Sequence, residues 1–240
     1  MNAIKKLWML VLFLCVPALA LASGAAHLDK APVDLKDSAS LQRGAKFFIA
    51  NCLTCHGASY MRYNRLKDLG MTDEEIKPLL PEGSKPGSTM QAGMDAGSAK
   101  LAFGVGPPDL SVIARARGQD WLYTYLRSFY VDSKRPGGSN NAIFPSVGMP
   151  NVLAALQGDQ ELHVENHDGH ETKKLVLTKP GTMKPEEFDA TIGDLTNFMV
   201  YMGDPSLLVR PKIGYIVLGF LFLLFVLTYA LKKEMWKDIH

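Results

Sequence analysis

The segment Cys52-Leu53-Thr54-Cys55-His56 holds two thiols separated by two residues, with an imidazole directly after the second. On one turn of backbone, sulfurs at that spacing reach the two vinyl groups of a single haem, and the following histidine is carried to the iron. Two other chemistries use similar spacing. Zinc wants four ligands, and the sequence has no second cysteine pair to complete them. A dithiol redox pair belongs on a βαβ frame, which the flanking sequence lacks. The reading is therefore one covalently bound haem c, with Cys52 and Cys55 as attachment points and His56 as first axial ligand.

A second axial ligand must come from elsewhere in the chain. His163, His167 and His170 crowd a polar turn, His27 lies in a lead-in segment and His240 in a terminal tail, so methionine is the better candidate. Met61, Met199 and Met202 stand where core packing expects them, and Met90 and Met94 lie in a loose Gly-rich stretch. Met149, in Phe144-Pro145-Ser146-Val147-Gly148-Met149-Pro150, sits on a loop stiffened by two prolines with a small glycine beside the sulfur. It is preferred, and the other methionines stay open. Histidine and methionine together leave no free position on the iron and raise its potential, which suits electron transfer. A catalytic haem protein such as a peroxidase would need a displaceable ligand instead.

Elements on either side must position these groups. Leu41, Ala45, Phe48 and Ile49 recur at helical spacing, so a helix from about Leu41 to Asn51, capped by Ser38 or Ser40, delivers the chain to Cys52. Tyr60 to Leu69 reads as helical. Thr72-Asp73-Glu74-Glu75 has the spacing of a capping box, opening a short helix that Pro78 and Pro81 close. Residues 82–106 read as loop, and Pro107-Pro108 as a stiff turn before a helical pattern at Leu110, Ile113 and Ala114. Trp121, Tyr125 and Phe129 fall on one helical face, read as core packing. Val131 to Pro150 is loop again. Leu162 and Val164, the turn signal Asp168-Gly169 and Leu175-Val176-Leu177 predict a small β-hairpin. Pro185-Glu186-Glu187 opens a last helix with Phe188, Ile192, Leu195, Phe198, Met199 and Met202 as its buried stripe.

The two ends read differently from the middle. Residues 1–22 carry Lys5 and Lys6, an apolar run and small-residue endings, the pattern of a cleaved secretory signal. Residues 23–209 form the haem domain, 210–232 a transmembrane anchor and 233–240 a short tail. Within the anchor, Ile213 to Leu231 is uncharged and long enough to cross a bilayer as a helix. Lys232, Lys233 and Lys237 put the carboxyl terminus in the cytoplasm by the positive-inside rule, so the haem domain is expected in the periplasm. The 240 residues carry a formal net charge of +2, which excludes the one-signed field of a nucleic-acid binder.

Cys52-x-x-Cys55-His56-Gly57, Tyr60, Tyr63, Leu66, Gly106-Pro107-Pro108-Asp109-Leu110-Ser111 with Arg115-Ala116-Arg117, Gly148-Met149-Pro150 and Asp204-Pro205 together resemble the cytochrome c1 family. The Pro-Pro-Asp-Leu-Ser segment carries most of that likeness, since every c-type cytochrome shares the cysteine motif. The resemblance implies a mainly helical class I cytochrome c fold, with a small β-hairpin, long loops and one carboxyl-terminal membrane helix. It implies that the helices from Leu41 and from Pro185 cross near Gly44, that Met149 is the axial ligand, that Arg117 bonds a haem propionate, and that the Pro108 carbonyl meets the free nitrogen of His56. Gly118-Gln119-Asp120-Trp121 is shortened against the mitochondrial pattern, and the likeness is nearest to proteobacterial members. The implied function is electron transfer in a quinol:cytochrome c oxidoreductase at the inner membrane, within a dimeric complex. Its partners would be cytochrome b, the Rieske iron-sulfur protein and a soluble or membrane-bound cytochrome c. The alternative is a membrane-anchored haem c subunit of a terminal oxidase or nitric oxide reductase.

Overall fold

The computed structural model describes residues 27–167 and 170–237. The signal expected at 1–22, the turn at Asp168-Gly169 and His240 lie outside them. Helix α1 (Ser38–Asn51) starts a turn earlier than its apolar spacing suggests, because Asp37 caps it, accepting from Ser40 N at 3.0 Å. A carboxylate at this end also meets the positive pole of the helix. Strand β1 (Ala58–Arg62) follows, then a 3-10 segment, Tyr63–Leu69. The stretch expected to be helical from Tyr60 is extended at its start because side chains of a distant loop take its backbone N–H groups: Asp109 accepts from Ser59 N and Ser111 Oγ from Tyr60 N.

Helix α2 (Asp73–Ile76) has the predicted capping box, with Thr72 N donating to Glu75 at 2.8 Å and Glu75 N to Thr72 Oγ1 at 3.3 Å. Strand β2 (Thr89–Met90) pairs antiparallel with β1. Helix α3 (Ala96–Phe103) lies in a stretch expected to be mostly loop; Asp95 starts it by accepting from Gly97 N and Ser98 N. Then come α4 (Ile113–Arg117), α5 (Gln119–Arg127), and the paired strands β3 (Phe129–Val131) and β4 (Ser139–Asn141). Phe129 therefore leaves the helical face it was expected to share with Trp121 and Tyr125. Helix α6 (Ala154–Gln157), the hairpin β5 (Gly158–His167) and β6 (His170–Pro180), helix α7 (Pro185–Gly203) and helix α8 (Arg210–Met235) complete the chain. Helices dominate, and the described strands form three two-stranded antiparallel sheets.

The core is set where α1 crosses α7. A Cβ added at Gly44 would lie 2.0 Å from the Asp194 carbonyl oxygen and 2.8 Å from Phe198 Cβ, so the two backbones meet at a distance only glycine allows. Below that point Phe48 and Phe198 pack ring against ring at 5.7 Å, and all six predicted stripe residues of α7 are buried. Beside it Arg43 pairs with Asp194 at 2.6 Å. The lead-in segment is strapped over the outside of α5 and α7: Ala31 N donates to Asp120, and Arg127 pairs with both Asp29 and Asp189, at 2.7 and 2.6 Å.

Helix α8 extends the expected apolar run at both ends, has none of its hydrophobic window buried, and is long and apolar enough to cross a membrane. Replacing Gly44 by Ala should open the α1–α7 crossing. We expect the haem-loaded protein to lose about 3 kcal/mol in chemical unfolding.

Candidate functional site

Helix α1 runs directly into the cysteine motif. Cys52 N donates to Phe48 O at 2.8 Å, and one turn later His56 N donates to Cys52 O at 2.8 Å. The two cysteines and His56 are thereby presented on one side of a single turn. The two cysteines form no disulfide, and burial, with neighbouring Cys55 adding to it, pushes the Cys52 thiol up to about 12.

His56 Nδ1 lies 2.8 Å from the Pro108 carbonyl oxygen. A carbonyl can only accept, so Nδ1 carries the proton and Nε2 keeps its lone pair for a metal. Burial lowers the His56 pKa, against smaller raising effects from that hydrogen bond and from Asp109, which favours the neutral, ligating form.

The Pro108 carbonyl is itself held. Asp109 Oδ2 accepts from Ser59 N and Ser59 Oγ, and its Oδ1 from Ser111 N, each at 2.8 Å. Leu110 N donates to Gly57 O at 2.8 Å, so the proline loop is stitched to the residues that follow His56. Burial tends to raise the Asp109 pKa, but the hydrogen bonds from Ser111 and Ser59 outweigh it and hold the carboxyl below its usual range.

Cys52, Cys55, His56, Pro108, Arg117 and Met149 all line one cavity of about 310 Å³, walled mainly by apolar side chains. Its far wall includes Trp121 and Tyr125, stacked at 4.8 Å, and its floor includes Leu195 and Met199 of α7. Val105 and Phe144 line it and remain 57% and 41% exposed, so it opens to the surface beside them. Arg117 sits over the Trp121 and Phe144 rings, at 5.1 and 5.6 Å from their centroids. It forms no ion pair with any described carboxylate, which leaves one positive charge at the cavity for an acidic group on an occupant.

Trp121 and Tyr125, read from sequence as core, do pack against it and also wall the cavity, and Met199, although buried, reaches the cavity as well. An apolar stripe facing a cavity and one facing a core have the same spacing, and the sequence carries no further signal. Met90 is fully buried beside β1, and neither it nor Met94 lines the cavity. The exposed side chains of His27 and His163 are also remote from it.

The donor set fits haem c: two thiols on one turn, a neutral imidazole with one nitrogen fixed, a thioether in the same apolar cavity and a guanidinium that pairs with no described carboxylate. Among the described residues no three His, Cys, Asp or Glu side chains converge as a metal cluster would require. Fold and site together define a c-type cytochrome whose last helix is long and apolar enough to cross a membrane.

Two overlapping segments, residues 29–96 and 84–239, match the cytochrome C1 family, and the chain belongs to that family. It is 49% identical to cytochrome c1 of Allochromatium vinosum, over 98% of this chain and 100% of that one. It is 52% identical, over 100% of both chains, to a protein named ammonia monooxygenase gamma subunit from Nitrosomonas europaea. A chain of a solved hyperthermophilic respiratory complex III superposes with a TM-score of 0.45 at 16% identity, over 99% of this chain and 98% of that one. Membership of the family makes haem c the covalently bound cofactor.

The Asp109 ties predict a pH signature. A carboxyl with a lowered folded pKa stabilises the fold above its ordinary value near 3.8 and loses that contribution as pH falls through the lower folded value. Unfolding midpoints of the haem-loaded wild type should therefore fall more steeply on acidification through this range than those of Asp109→Asn. Parallel pH profiles would remove Asp109 from the tie.

Proposed function

We propose that this chain is the haem c subunit of a quinol:cytochrome c oxidoreductase, taking one electron from the Rieske iron-sulfur protein and giving it to a soluble or membrane-bound cytochrome c. The observation that carries the reading is the meeting of the cysteine turn, the proline loop and the methionine loop at one cavity, in a chain that matches the cytochrome C1 family along nearly its whole described length.

When bound, haem c supplies a one-electron iron couple. Cys52 and Cys55 would hold one haem, His56 Nε2 and Met149 Sδ would be the protein donors offered to its iron, and Arg117 would meet a propionate. Ligation by both side chains would leave the iron no open position for substrate, which suits a relay inside an enzyme rather than a catalyst by itself. The basic residues Lys232, Lys233 and Lys237 after the membrane helix support a haem domain in the periplasm and a cytoplasmic carboxyl terminus. Cytochrome b and the Rieske protein would be its neighbours in a dimeric complex.

The relative named as a monooxygenase subunit favours a second reading, in which the same architecture serves a monooxygenase. Gentle solubilisation and affinity isolation of the tagged chain separate the two. We expect b-type haem, a Rieske iron-sulfur signal and quinol:cytochrome c reductase activity to co-purify. Isolation with a monooxygenase, a terminal oxidase or a nitric oxide reductase would reassign the chain to that assembly.

The ligand roles have their own test. Met149→Leu should abolish the far-red thioether-to-ferric-iron absorption and lower the midpoint potential. Arg117→Ala should lower the potential too, because a positive charge near the iron favours the reduced state. An unchanged potential in either variant would remove that residue from its role.

A further inference from the structure

Strand β4, Ser139–Asn141, is polar throughout and yet interior, with exposures of 9%, 8% and 0%. Three consecutive polar side chains inside a fold are costly unless their polar atoms are bonded. Asn141 Oδ1 accepts from Ile143 N and Phe144 N, both at 3.1 Å, and Asn140 Oδ1 accepts from Ser146 N at 2.9 Å. Ser139 Oγ accepts from Asn151 N at 3.0 Å. Four backbone N–H groups of the segment carrying Met149 are thus held by the side chains of one short strand, on both sides of the methionine. Ser146 is a non-glycine residue at φ +63°, a conformation that persists only where its surroundings enforce it.

The same Asn141 amide also reaches the opposite wall. Its Nδ2 donates to Tyr125 O at 2.8 Å, and Tyr125 Oη donates to Met149 Sδ at 3.4 Å. Tyr125 is wedged between Trp121, stacked at 4.8 Å, and Phe129, edge-on at 5.2 Å.

We propose that Asn141 is the positioning residue for the Met149 thioether, clasping the methionine loop and the Tyr125 backbone in one geometry, with Asn140 holding the same loop at Ser146. The proposal rests on the reading of Met149 as axial ligand. A thioether is a neutral, weak donor, and its hold depends on how far the loop can swing away. The clasp limits that swing, and so limits access of outside ligands to the iron.

The test uses the full-length, haem-loaded protein in detergent. Added imidazole competes with the thioether, the far-red absorption reports the bond, and chemical unfolding reports the fold. Asn197→Ala is the control: Asn197 is an equally buried amide, 1% exposed, which donates to Asp34 O and Ser40 Oγ and does not line the cavity. Loss of the clasp in Asn141→Ala should raise imidazole affinity about tenfold and weaken the far-red absorption. Asn140→Ala should do the same to a smaller degree, and it decides the matter if Asn141→Ala does not accumulate with haem. Asn197→Ala should lower stability while leaving both ligand readouts at wild-type values. The proposal is overturned if imidazole affinity and the absorption in the Asn140 and Asn141 variants move no further than in Asn197→Ala. An absorption that survives Met149→Leu overturns the ligand reading itself, and the clasp with it.

Discussion

The contact between the backbones of α1 and α7 at Gly44 is the constraint on which the rest of the structure depends. A cofactor attached through two residues of one turn takes its placement from how that turn leaves its helix, and the turn at Cys52 is a direct continuation of α1. Helix α7 provides Leu195 and Met199 at the floor of the cavity, the first of them next to Asp194, whose carbonyl lies against Gly44. The crossing therefore fixes the attachment turn against the cavity floor before any loop is placed. A side chain at Gly44 would separate the two and leave every other wall correctly made around the wrong space.

The remaining walls are loops, and loops inside a protein must find partners for their backbone groups. On the His56 side the partner is a carboxylate: Asp109 takes the N–H groups of Ser59 and Ser111 and holds the Pro108 carbonyl where Nδ1 can use it. On the Met149 side the partners are neutral amides and a hydroxyl. The difference follows burial. Asp109 is exposed and keeps its charge in contact with water, whereas Asn141 is fully buried, where an ionised group would cost several kcal/mol. Between them the cavity is walled mainly by apolar side chains, with Arg117 over its two aromatic rings.

What was legible in the sequence was periodic or local. The cysteine motif, the Thr72 capping box, the stripe of α7 and the apolar run of α8 each declare themselves within a few turns of chain. The missed features depend on residues far apart. Tyr60 is extended because Ser111, 51 positions away, takes its N–H. Asn140-Asn141 reads as a loop signal in isolation, since asparagine pairs are common in turns; their burial and their hold on residues 143–146 exist only once β4 lies against β3. Trp121 and Tyr125 pattern as core because a cavity made for an apolar cofactor presents the same face as one filled by side chains. The resemblance to a family supplied Gly44, Pro108 and Arg117, which spacing alone does not single out.

The connection between haem domain and membrane helix follows from the same kind of bonding. Six residues, 204–209, separate the end of α7 from the start of α8. They are not a loose tether: Leu207 N donates to Asp204 O, Arg210 N to Ser206 O, and the Arg210 guanidinium pairs with Asp204. The hydrogen bond from Ser206, with burial acting against it and Arg210 adding to it, holds the Asp204 carboxyl below its usual range, so the turn keeps its charge. Since α7 carries the cavity floor and ends in this bonded turn, the haem domain is coupled to its anchor by a short folded joint.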